Sequence, residues 1–224
     1  MQIGIFLPTS HPNQYAQPIL DSARIADQGG LDSVWVIDRV VFPLIEAYTT
    51  LAAVSAVTSR VTLGTSVLLG PTRDPVLLAA QTASIDLLSG GRMVLGLGVG
   101  SREEDYIATG RDFHTRGRRL DSDVATMRRI WAGEPLVDGF APIGPRPVNG
   151  SIPLLFGGSS DAAMARAARV GDGHLCVPRG LDMQARMFAK FKAAWSAAGR
   201  TEKPLLYAQG YYCVDDSVER AHER

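Results

Sequence analysis

Residues 61–100 place two apolar, β-branched runs, VTLGTSVLLG and MVLGLGVG, on either side of one long apolar helical stretch, DPVLLAAQTASIDLLSGGR. A helical crossover between two strands forces them to pair in parallel. Both runs finish in small residues, Gly64-Thr65-Ser66 and the glycine-rich stretch ending at Gly100. A barrel of parallel strands carries its chemistry at such C-terminal strand ends, where small residues let a flat ligand lie against main chain. The segment therefore bounds the fold and says where function should be sought.

The same alternation runs along the chain. IGIFLP is an apolar run, and residues 15–28 carry Ile19, Leu20, Ala23 and Ala26 at helical spacing before Gly29-Gly30. SVWVID reads as a second strand ending in Asp38, and residues 43–58 as a helix apolar on nearly every face except at Glu46. The third strand spans 61–69. Asp74-Pro75 supplies an N-cap and a first-turn proline, and Gly90-Gly91 closes that helix. Residues 93–99 form the fourth strand, 101–115 a polar connection, and a helix then runs to Ala132. Residues 134–153 hold five prolines and three glycines, which predicts a long inserted loop acting as a lid or side wall. Strands at 152–158, 172–178 and 204–214 follow, with helices at 160–170 and 182–198 between them. SVERAHER gives two helical turns at most.

Seven strand–helix units result, where a complete barrel has eight in ~250 residues. A (β/α) barrel of TIM type lacking its eighth unit fits this pattern, as a naturally shortened barrel or as part of a longer chain. An open doubly wound sheet is the alternative, but it usually carries a glycine fingerprint after its first strand. Pro8-Thr9-Ser10 stands there instead. At 224 residues the chain suits one domain, 1–224. Lys plus Arg equals Asp plus Glu, so nothing in the charge balance favours nucleic acid or an anionic membrane. No apolar run reaches the ~18 residues of a membrane span. MQIGIFLPTS reads as a first strand rather than a signal peptide. Cys176 and Cys213 lie far apart inside apolar runs, the pattern of buried free thiols in a reducing cytoplasm.

Few residues announce chemistry. LGLGVG departs from G-x-G-x-x-G and is followed by Arg102-Glu103-Glu104, whose acids would repel a pyrophosphate. It reads as close packing at a strand end or as a wall beside a flat ring. In FGGSSDAAMARAAR a strand ends at Gly157-Gly158, and Ser159-Ser160 open a helix where an anion could dock, although capping alone explains Ser160. Asp161 competes for that positive potential. Asp38 could bind substrate, tune a flavin or pair with Arg39. His11 and His174 stand near strand ends on the functional face, and His114 and His222 in polar segments. No two histidines have metal-ligand spacing, and no metalloprotease, Walker or serine-hydrolase signature appears.

Taken together, AYTTLAAVSAVTSRVTLGTSVLL, DPVLLAAQTASIDLLSGGRMVLGLGVG, RGRRLD with RRIWAGEP, and IPLLFGGSSDAAMARAARVGDGH resemble the bacterial-luciferase-like superfamily of TIM barrels, and within it the coenzyme F420-dependent oxidoreductases. The resemblance implies a (deaza)flavin ring at the C-terminal mouth, backed by a non-proline cis peptide that here would be Ser66-Val67. It implies a phosphate held near Gly157, Gly158, Ser159 and Ser160, Cys176 and Val177 lining the floor, and Gly98 and Val99 flanking the ring. Where the family often has Asp-His after its second strand, this chain has Asp38-Arg39, and a guanidinium cannot exchange the proton. Arg39 is left to orient an anionic substrate or the cofactor, with Asp38 beside it. Ser101 stands where some relatives have a glutamate. Hydride transfer between F420 and a small organic substrate is the expected activity. A reduced-FMN monooxygenase or a non-catalytic flavin-binding protein is the alternative. Arg39, Arg73, Arg102 and Arg179 are candidates to meet the acidic tail of F420. The apolar second and third helices predict a homodimer formed through them.

Overall fold

A computed structural model describes residues 1–10, 16–212 and 217; His11, Cys213 and His222 lie outside the described residues, as does nearly all of SVERAHER. In chain order the elements are β1 (Gly4–Phe6), α1 (Ala16–Gln28), β2 (Ser33–Val36), α2 (Ala47–Ser55), β3 (Thr62–Thr65), β4 (Leu68–Leu69), α3 (Pro75–Ser89), β5 (Met93–Gly98), α4 (Glu103–Ala108), α5 (Arg116–Trp131), β6 (Leu154–Gly157), α6 (Asp161–Val170), β7 (Gly173–Cys176), α7 (Leu181–Ala197) and β8 (Leu205–Ala208). The strands lie in the order β1-β2-β3-β5-β6-β7-β8, with β4 pairing β5 beyond the end of β3, and every pair is parallel. Spatial order follows chain order without reversal. That excludes the doubly wound alternative, whose sheet changes direction at a switch point. Seven strand–helix units curl into an incomplete barrel. Among the described residues β1 pairs only β2 and β8 only β7, so the sheet is open between them.

Strand period two separates two interiors. Trp35, Val94, Leu155 and Leu175 form a cluster inside the barrel, with Val67 and Tyr207 against it. Val34, Val36, Leu63, Leu95, Leu97, Leu154, Phe156 and Cys176 face the other way, into the larger core shared with the helices. Glycine occupies inward positions where the lumen is too narrow for a side chain. A Cβ on Gly64 would come within 2.3 Å of the Trp35 ring, and one on Gly96 within 2.0 Å of the Thr65 carbonyl oxygen.

Helix punctuation follows the sequence closely at α3. The Asp74 carboxylate accepts from the N–H groups of Val76 and Leu77, and Gly90 ends the helix at φ 71°. Elsewhere the boundaries move. The helix expected over 43–58 shrinks to α2, because Glu46 turns back to accept from Thr49 N–H and so acts as the cap. The third strand is interrupted after Thr65 by a cis Ser66-Val67 peptide before pairing resumes at Leu68. The polar connection at 101–115 contains α4, whose first turn holds Glu103, Glu104 and Asp105. Acids there favour a helix start. The strand expected over 204–214 ends at Ala208.

The loop at 134–153 is irregular throughout, as its composition predicts. It is not a lid. It joins the end of α5 to the start of β6, so topology puts it at the N-terminal face, away from the mouth. It is fastened there: Val148 N–H donates to the Asp86 carboxylate at 2.8 Å, and Leu95 N–H to the Pro153 carbonyl at 2.9 Å.

Candidate functional site

The mouth of the barrel is built around the break between β3 and β4. Val67 is half-buried, and its isopropyl group fills a socket left by two bare strand ends. A Cβ on Gly98 would lie 2.5 Å from Val67 Cγ2, and one on Gly157 2.8 Å from Cγ1. The two glycines thus seat Val67 as an apolar floor. A cavity of about 880 Å³ is reached at Ser66, on the other side of the cis peptide, and runs along the opening between β1 and β8. Thr9, Trp35, Ile37, Ser66, Leu175, Pro178, Tyr207 and Gln209 are among the residues that line it. Among the described residues no charged side chain does so. Trp35 is braced by its indole N–H, which donates to Ser33 Oγ at 2.8 Å, and by an edge contact with Tyr207 at 5.0 Å. Burial pushes the Tyr207 phenol above its ordinary pKa, so it stays neutral at physiological pH.

Beside this floor the chain leaves β6 through Gly157 and Gly158, the latter at φ 119°, and enters α6. Gly158, Ser159 and Ser160 are exposed. Ser160 Oγ accepts from Ala163 N–H at 3.2 Å, which caps the helix. Lys190 on α7 reaches the same end, 2.7 Å from the Asp161 carboxylate and 3.3 Å from the Ser159 carbonyl oxygen. The Lys190 ammonium holds the Asp161 carboxyl below its ordinary range. A helix N-terminus with a flanking cation suits an anion. The sequence reading anticipated the helix start and missed Lys190, which arrives from a helix distant in sequence.

Four expected participants are placed otherwise. Asp38 is not at the mouth: Ile37 lines the cavity, and the next side chain points outward. There Asp38 binds Arg73 through both oxygens, at 2.7 and 2.9 Å, and accepts from Leu69 N–H at 2.8 Å. Its partner is Arg73, not Arg39. Arg39 pairs with the buried Asp105 at 2.7 Å and with Glu104 at 3.2 Å, which ties the end of β2 to α4. Cys176 does not line the floor; alternation along β7 turns its thiol to Met187 on α7, with the sulfurs 3.5 Å apart. Val99 packs toward the helix layer, so only Gly98 belongs to the mouth. Val177, two residues beyond inward-facing Leu175, is exposed at the end of β7.

His174 also leaves the functional face. It lies within the helix layer, stacked on Phe191 at 5.1 Å. Of the four arginines proposed for an acidic tail, Arg39 and Arg73 are held by buried carboxylates and Arg102 lies 3.6 Å from Glu104. Arg179 is exposed in the loop before α7. Trp35, Tyr207 and Gln209, which the sequence reading did not select, form much of the actual wall. Their signal was positional, since each shares the inward parity of its strand.

Comparison with known proteins places this geometry in context. The family model described as luciferase-like monooxygenase matches residues 1–224. An uncharacterised protein of Mycobacterium tuberculosis is 33% identical over 184 residues, covering 79% of this chain and 65% of its own length. An F420-dependent glucose-6-phosphate dehydrogenase of Amycolatopsis mediterranei is 30% identical over 225 residues, covering 92% of this chain and 66% of its own. The crystal structure of monooxygenase RslO1 from Streptomyces bottropensis superimposes with a TM-score of 0.83 at 26% identity, covering all of this chain and 75% of that one. The chain thus spans about two thirds of the length of the curated relatives it matches.

Proposed function

The chain belongs to the luciferase-like monooxygenase family, and from that premise we propose that it is an oxidoreductase transferring a hydride between coenzyme F420 and a small organic substrate. The observation that carries this reading is Val67 seated on the bare ends of two strands at the cis peptide, with Ser66 lining an uncharged cavity and an exposed helix start following Gly157. The bound deazaflavin supplies the hydride-carrying carbon, the hard part of the chemistry. The chain supplies position and shelter. Ser66 and Val67 support one face of the ring. Gly98 and Gly157 hold Val67 in place, and Val177 borders the cradle. Gly158, Ser159 and Ser160, with Lys190, receive the phosphate. The relative named for F420 supports the deazaflavin. A second reading, a reduced-FMN-dependent monooxygenase, draws support from RslO1, a monooxygenase of the same fold.

Titration of the purified protein with F420 and with FMN tests both readings. F420 binding is expected. FMN binding without F420 binding overturns the first reading in favour of the second, and binding of neither overturns both. Asp161→Ala should release Lys190 and strengthen phosphate binding about threefold to tenfold at low salt, with the gain shrinking as salt rises. No change at low salt would remove Lys190 and the α6 N-terminus from the site.

The second and third helices present an apolar face. Leu77 and Leu88 on α3 are 62% and 67% exposed, and Phe42 in the preceding loop is 49% exposed. They border a groove of about 810 Å³ between α2 and α3, lined also by Ala52 and Ala80. Exposed leucines beside small residues suit a second copy of the chain. Light scattering should return twice the 24.0 kDa chain mass. Leu77→Glu with Leu88→Glu should return one chain mass, and a monomeric wild type refutes the dimer. No described helix is long and apolar enough to cross a membrane. A cytoplasmic setting suits the free, buried Cys176 thiol.

A further inference from the structure

Gln209 follows the last residue of β8 and is held from two sides: its N–H donates to the Cys176 carbonyl at 3.2 Å, and its carbonyl accepts from the side chain of buried Gln184 at 2.6 Å. The side chain then crosses the mouth, where its amide donates to Ser66 Oγ at the start of the cis peptide. No other side-chain hydrogen bond among the described residues joins β8 to the β3–β4 break. One amide N–H is used there. The second N–H and the carbonyl oxygen remain as a coplanar donor and acceptor on a backbone held by two hydrogen bonds. We propose that Gln209 is the residue that orients the heterocycle, pairing with the imide edge of its pyrimidinedione while Ser66 fixes the amide plane. This rests on the flavin reading above and adds a residue to it.

The chemistry favours an amide. An imide edge presents acceptor, donor and acceptor in one plane, and F420 and FMN share it. A carboxylate would repel its two carbonyl oxygens, and an ammonium would leave its N–H unmatched. A primary amide offers one donor and one acceptor side by side, and Gln209 offers them on a fixed stem. Preorganisation of this kind lowers the entropy lost on binding.

Riboflavin and FMN separate the ring from the phosphate. Binding of each to wild type, Gln209→Ala and Gln209→Met would be followed by flavin fluorescence, with F420 titrated in parallel. Both substitutions should weaken riboflavin and FMN by the same factor, about tenfold to a hundredfold, the loss that two removed hydrogen bonds imply. The shift of the visible flavin absorption band on binding should shrink in both. Gln209→Glu should bind worse than Gln209→Ala at pH 8 and recover toward it as the carboxyl is protonated. The thermal midpoint of each variant without flavin reads structural damage separately. Wild-type binding with unchanged affinity and band shape in the variants overturns the assignment and leaves the flavin reading intact. Weakening of FMN alone also overturns it, because the effect then belongs to the phosphate. If wild type binds no flavin and no F420, both ideas fall together.

Discussion

Replacing Arg73 by methionine should destabilise the fold by about 3–5 kcal/mol, the range for removing one partner of a buried ion pair. The Asp38 carboxylate is 1% exposed and receives two hydrogen bonds from Arg73 and one from Leu69 N–H. Without Arg73 it keeps a full charge and a single donor in a nearly dry site. The damage should spread, because Arg73 also meets Glu46, the cap of α2, at 3.3 Å. Leu69 lies two residues past Val67, so the floor of the mouth depends on the same pair. Adding Asp38→Asn to Arg73→Met removes the stranded charge and keeps an acceptor for Leu69 N–H. The double variant should therefore be more stable than Arg73→Met alone. Urea unfolding of wild type, both single variants and the pair measures this. A loss below about 1 kcal/mol in Arg73→Met, or no recovery in the double variant, refutes the account.

The same pair explains how far the sequence could be read. Glycines and prolines at helix ends, the apolar strands and the parallel crossovers are local signals, and α3 with its Asp74 cap and Gly90 stop could be read almost to the residue. The position of the cis peptide and the exposed start of α6 came from resemblance and from strand-to-helix punctuation, and both stand where expected. What failed was the direction of side chains after a strand ends. Asp38 and Ile37 are adjacent, yet one faces the helices and the other the lumen. Parity is clear inside β2, where Trp35 points inward, but nothing in SVWVIDR says whether it persists past Val36. Cys176, still inside β7, faces the helices by the same alternation that points Leu175 inward. The contacts of Gln209 with Ser66 and of Lys190 with Asp161 join segments far apart in the chain, which no local pattern encodes. The loop at 134–153 is a separate case. Composition identified it as a loop, while its face of the barrel follows from topology alone, since a helix-to-strand connection must return to the N-terminal ends.

Acidification from pH 7.5 to pH 4 should cost wild type about 3 kcal/mol more than it costs His174→Leu. His174 is fully buried, and neither ring nitrogen makes a well-formed hydrogen bond; the Phe156 backbone gives a weak one that only partly opposes the cost of charging it. Burial lowers its pKa from 6.5 to about 4. The unfolded chain therefore takes up a proton near pH 6.5, whereas the folded chain resists until about pH 4. Stability from this group is complete above 6.5 and is lost as pH falls toward 4, below which both states are protonated. Asp123 runs the other way. Its nearly buried carboxyl is pushed up by burial to about 6, with Arg119 3.7 Å away opposing the shift. A carboxyl raised in the fold adds stability at low pH that is lost as pH rises through 6. The two groups offset each other between pH 6 and 4, so the wild-type profile alone looks flatter than either part. Asp123→Asn should expose a steeper acid loss than wild type, and His174→Leu a shallower one over the same window. Urea unfolding at half-unit pH steps resolves both. Parallel profiles for wild type and His174→Leu would mean that the imidazole is hydrated or hydrogen-bonded in solution, and that β7 and α7 do not enclose it.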